Sequence, residues 1–96
     1  MGRSYKQSPI PSVIKDLGRK VKLLRKKQGM TQEDLANHSG LSLTPIKYLE
    51  SGKNISLDKF LKILRSLGRI SEMEDVLPDE IISPRDIVFQ KHRKNK

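Results

Sequence analysis

Glycines at positions 29, 40, 52 and 68 cut the middle of the chain into pieces of ten to fifteen residues. Glycine readily takes the left-handed backbone that ends a helix. Between these stops the apolar residues recur three and four apart, the spacing of one helical face. The pattern predicts a set of short helices. A first helix is expected from Val13, with Ile14, Leu17, Val21 and Leu24 as its apolar stripe and Gly29 as its stop. Thr31 is an N-cap with Asp34 three residues on, a capping-box variant. Leu35 and Ala36 face inward, and Gly40 ends that helix after about two turns. Ser42 is expected to cap a third helix, with Ile46 and Leu49 inside and Pro45 in the first turn, where a missing N–H removes no intrahelical bond. Ser56 caps a fourth, whose stripe is read as Leu57, Phe60, Leu61, Leu64 and Leu67. A short fifth helix is expected over about 71–77, with Met73, Val76 and Leu77 on its apolar side.

Ninety-six residues make one domain. Leu, Ile, Val and Phe supply 28% of the chain, above the level of roughly 20% below which charged chains stay disordered. No cysteine is present, which excludes disulfides, thiol chemistry and cysteine-containing zinc sites. There is no apolar run near 18 residues and no secretory signal pattern, so the expected setting is intracellular, with no membrane partner. The expected organisation is a flexible arm at 1–12, a domain at 13–77 and a tail at 78–96.

The net charge of +9 is unevenly placed. Residues 1–30 carry +8, 31–68 carry +1, 69–84 carry −4 and 85–96 carry +4. Such a balance favours an anionic partner, chiefly nucleic acid. The span 32–51, QEDLANHSGLSLTPIKYLES, narrows the choice. Gln32, Ala36, Gly40, Ile46 and Leu49 stand at the first, fifth, ninth, fifteenth and eighteenth positions of a helix-turn-helix. Ala36 is small enough for the second helix to approach, Gly40 allows the bend, and Leu41, Ile46 and Leu49 fill the inner angle.

The chain resembles the phage-repressor-like (Xre/Cro-type) helix-turn-helix family from about Leu17 to Gly68. The resemblance rests on LGRKVKLLRKKQGMTQEDLA, SGLS, IKYLESGKN and SLDKFLKILRSLG. It implies an all-α, five-helix, lambda-repressor-like fold. It also implies that the helix opening at Ser42 enters the DNA major groove while the helix opening at Thr31 crosses the backbone. By position, Leu43, Thr44, Lys47 and Tyr48 would face the groove, and Thr31, Gln32, Ser51, Lys53 and Asn54 would meet phosphates, some through backbone N–H groups. Leu43 offers a thymine methyl apolar contact, and Thr44 a hydroxyl or a methyl. Lys47 reaches guanine or a phosphate. Tyr48 stacks, bonds a phosphate or packs on the scaffold. Arg25 and Glu50 occupy positions that form a buried ion pair in several family members, a structural role. The groove-facing turn has neither the arginine nor the glutamine of the strongest base contacts, so operator sequences do not transfer.

His38 and His92 lack metal-ligand spacing, no nucleophile–base set is present, and the glycines match no phosphate loop. Neither enzyme activity, nor a metal, nor a cofactor is expected. The expected function is a sequence-specific regulator that binds a palindromic double-stranded operator as a homodimer. The tail, LPDEIISPRDIVFQKHRKNK, resembles those of small Xre proteins encoded beside HipA-type kinases. This implies a HipB-type antitoxin and autorepressor with a kinase toxin as partner. A restriction–modification controller and a stand-alone repressor are the alternatives, and a protein-interaction module without DNA binding is the reading from another class. Ile81, Ile82, Ile87, Val88 and Phe89 are read as a short strand or a partner-binding segment, and 90–96 as disordered.

Overall fold

A computed structural model describes residues 4–77 and Asp79. They form four α-helices and a final 3₁₀ turn, with no strand among the described residues: α1 Ile10–Lys27, α2 Gln32–Ser39, α3 Leu43–Glu50, α4 Leu57–Ser66 and the 3₁₀ helix Ile70–Asp75. The fold is all-α, as the glycine punctuation predicts. Ile81, Ile82, Ile87, Val88 and Phe89, read as a short strand or partner-binding segment, and residues 90–96, read as disordered, lie outside the described residues.

α1 begins at Ile10, three residues earlier than expected. The reason is Pro11, which stands in the first turn, where no intrahelical N–H bond is lost. Within the stretch expected as an arm, residues 4–9 turn back on α1. The Tyr5 hydroxyl donates to the Asp16 carboxylate, and the Lys20 ammonium lies 5.2 Å from the Tyr5 ring centroid.

α1 crosses α3 at Gly18, which is buried. A Cβ there would stand 1.9 Å from the Leu49 carbonyl oxygen, so only glycine fits the crossing. α2 opens on a complete capping box. The Thr31 hydroxyl accepts from the Asp34 N–H at 3.0 Å, and the Asp34 carboxylate accepts from the Thr31 N–H at 2.9 Å. Gly40 closes α2 in the left-handed region, at φ 73°. Ser42 has the extended backbone of an N-cap, yet its side chain makes no cap hydrogen bond, contrary to expectation. The third position of α3 is Pro45, so one usual N–H target is absent.

The core consists of Val21, Leu35, Ala36, Ile46, Leu49, Ile63 and Leu67, with Leu24, Met30, Leu41, Leu43, Ile55 and Phe60 packed on it. α4 is rotated from the expected stripe. Leu57 is 66% exposed, whereas Ile63, outside the predicted stripe, is fully buried. Leu57 sits at the helix start, and the inner face runs through Phe60, Ile63 and Leu67. The final turn is 3₁₀ rather than α. Met73 is half-buried there, while Val76 and Leu77, expected on the apolar side, are exposed.

Candidate nucleic-acid interface

α3 has two unlike faces. Pro45, Ile46 and Leu49 are buried against the other helices. Thr44, Lys47 and Tyr48 lie three and one residue apart on the opposite side, all exposed. Eight residues make a rod about 12 Å long, and at about 10–12 Å across with its side chains a helix fits a major groove about 12 Å wide. Leu43 is half-buried and packs on the core, so its side chain divides between scaffold and surface.

The rod is held from within by one polar network. The Arg25 Nε donates to Glu50 Oε2 at 2.7 Å and its Nη2 to Oε1 at 2.9 Å, a two-point pair whose side chains are only 7% and 4% exposed. Arg25 Nη1 also donates to the Met30 carbonyl at 2.8 Å, and the Gln32 side-chain amide donates to Glu50 Oε1 at 3.0 Å. The Glu50 carboxylate on α3 thus joins α1 and α2, and the Arg25 guanidinium carries the network on to the α1–α2 loop. Glu50 raises the Arg25 pKa further above its ordinary value, against the opposing effect of burial.

The remaining predicted contacts are distributed as follows. Thr31 is exposed at the start of α2, with its hydroxyl accepting the cap bond. The Gln32 side chain is occupied by Glu50, which leaves its backbone N–H at the helix end as its offer to an anion. The Ser51 hydroxyl donates its single proton to the Tyr48 carbonyl at 2.9 Å. Lys53 and Asn54 are exposed just beyond, and the Lys53 ammonium lies 5.2 Å from the Tyr48 ring centroid. Lys53 also donates its backbone N–H to the Tyr48 carbonyl at 2.8 Å, which fixes the loop beside α3.

Beside α3 an open groove separates it from α1. Lys22, Lys26 and Lys47 line it, with Met30, Thr31 and Leu43. Lys22 and Lys26 lie outside the residues that the family resemblance implies for DNA contact. The clue available was their spacing of four, one turn on a common face. His38 is exposed, and no cluster of three or more potential metal ligands occurs among the described residues. No helix among them is long and apolar enough to cross a membrane.

A family model described as "Helix-turn-helix" matches residues 21–74, more than half of the chain. The chain belongs to the Xre/Cro-type helix-turn-helix family. An uncharacterized HTH-type transcriptional regulator, y4mF, of Sinorhizobium fredii is 39% identical over 54 residues, which cover 55% of this chain and 71% of that protein. This helix-turn-helix protein is accordingly a DNA-binding transcriptional regulator, from a family of regulators rather than enzymes. In helix-turn-helix terms α2 and α3 are the two motif helices, and the Arg25–Glu50–Gln32 network ties both to α1.

Proposed function

We propose that the protein binds a palindromic double-stranded operator as a homodimer and represses transcription from it. The observation that carries this reading is the split character of α3. Thr44, Lys47 and Tyr48 stand free on a rod whose other face is locked to the scaffold. In this reading Thr44, Lys47 and Tyr48 read base edges, with Leu43 adding apolar contact at the groove wall. Thr31, Gln32, Lys53 and Asn54 position the phosphate backbone, Gln32 through its main chain. Ser51 contributes chiefly by holding the turn after α3.

A single domain offers a small interface, and two copies on a two-fold site double it. The tail resemblance supports a HipB-type antitoxin setting, in which the same chain also captures a HipA-type kinase. A mobility-shift titration against the DNA upstream of its own reading frame, at several salt concentrations, tests the core of the proposal. A steep salt dependence with preference for one site over random duplex is expected. Weak binding equal on all duplexes would leave only non-specific affinity. Sedimentation of the full chain and of a version lacking 79–96 tests the dimer. The truncation is expected to stay helical and to dissociate more readily.

A further inference from the structure

Two sets of basic residues on α1 differ in how they are paired. On the outer side Arg19 and Lys20 are paired with Asp16, at 2.7 and 3.2 Å. On the side toward α3, Lys22 and Lys26 make no ion pair among the described residues, nor does Lys47 across the groove. All three are exposed and line the same open groove, about 690 Å³ in volume. Its charged neighbours are Glu33 on the α2 rim and Arg25, whose charge is matched by Glu50. The groove therefore carries a net positive charge. Its far wall is the start of α2, where Thr31 and the first-turn N–H groups stand.

We propose that Lys22 and Lys26, with Lys47 opposite, form a phosphate rail, and that the α1–α3 groove takes the sugar–phosphate backbone of one DNA strand. The inference rests on the DNA-binding reading above and extends the contact surface to a helix outside the two-helix motif. Lys22 and Lys26 are one turn apart, about 5–6 Å between Cβ atoms. Nucleotides advance about 3.4 Å along the duplex axis per strand and further along the backbone path, so the two ammonium groups meet neighbouring phosphates. Long flexible stems let each head follow the strand, in a groove whose apolar lining is Met30 and Leu43. Lys47 then serves as the hinge between the rail and the reading face.

Lys27 supplies the control. It is on the same helix and exposed, but lines a different groove with Phe60 and Leu64. The full-length protein, the pair K22Q/K26Q and the single variant K27Q are compared by fluorescence anisotropy on the preferred duplex and on random duplex, over a potassium chloride series. The rail predicts that K22Q/K26Q lowers the slope of log affinity against log salt on both duplexes by about 1.8 for each protomer bound, about 3.6 for a dimer, since each phosphate contact contributes about 0.9. K27Q is expected to leave the slope near that of the parent. An unchanged slope in K22Q/K26Q, or an equal loss per lysine in K27Q, would overturn the rail and leave net charge as the explanation. A parent protein that binds neither duplex would instead defeat the DNA-binding reading on which the rail depends.

Discussion

Arg25 and Glu50, 25 positions apart in sequence, meet through two hydrogen bonds in a site closed to solvent. Each makes the other's burial tolerable, and the removal of one strands a charge. Glu50→Ala is expected to cost about 3–5 kcal/mol, whereas the paired change R25M/E50L recovers much of the loss by filling the space with apolar atoms. Urea denaturation of the two variants measures this. Equal destabilisation in both would show that the pair contributes through its hydrogen bonds rather than by avoiding an unpaired charge.

Gly18 sets how closely α1 and α3 can approach. Gly18→Ala places a methyl group on the Leu49 carbonyl, and backbone cannot move aside as a side chain does. A loss of at least about 1–3 kcal/mol is expected, as for an overpacked core, with DNA affinity falling in parallel because α3 is displaced. A variant with unaltered melting temperature would mean that the crossing is looser than the structure has it.

The rotation of α4 separates two leucine-like positions that sequence spacing treats differently. Ile63→Ala should cost about 2–5 kcal/mol, as for a buried aliphatic residue. Leu57→Ser should stay within roughly 0.5 kcal/mol, as for a surface position. Thermal unfolding of both variants checks the difference, and a reversed order would restore the stripe expected from spacing.

Asp34 accepts the Thr31 N–H, and this bond holds its carboxyl below the ordinary carboxylate range. Its folded pKa is depressed, so its contribution is present above the unfolded value near 4 and is lost as pH falls through the folded value. The same sign applies to Asp16, held well below the usual range first by the Tyr5 hydroxyl and then by Arg19 and Lys20. Stability should therefore decline below about pH 4. Asp34→Asn should reduce that dependence in denaturation series at pH 7 and pH 3. Thr31→Ala should cost about 1 kcal/mol at neutral pH through the lost cap.

Base reading by α3 has its own expected pattern. Thr44→Ala and Lys47→Ala should alter discrimination at one or two base pairs of each half-site, by about 1–3 kcal/mol for each lost base contact. Lys53→Gln should weaken all sequences alike and lower the salt slope by about 0.9 for each protomer bound. Competition binding with single-base operator variants distinguishes the two behaviours. If Thr44→Ala and Lys47→Ala weaken cognate and random DNA equally, neither residue reads bases.

The helix ends were legible from sequence because they are decided locally. Thr31 and Asp34 are three residues apart, and Gly40 needs no distant partner to turn left-handed. The inner and outer sides of α3 were legible for the same reason, since the 3.6-residue period alone puts Ile46 and Leu49 opposite Thr44 and Lys47. Tertiary structure decided what depends on a second element. Which side of α4 is buried follows from where α2 lies, so Ile63 replaced Leu57 inside. The Gln32 side-chain amide turned to Glu50, a residue on another helix. Gly18 has no local turn to make, and its need for hydrogen in place of a side chain exists only because the Leu49 carbonyl arrives there. Periodicity and capping are properties of neighbours along the chain, and sequence alone determined them. The pairing of charges, the depth of a groove and the fit of a crossing belong to residues that meet only after folding.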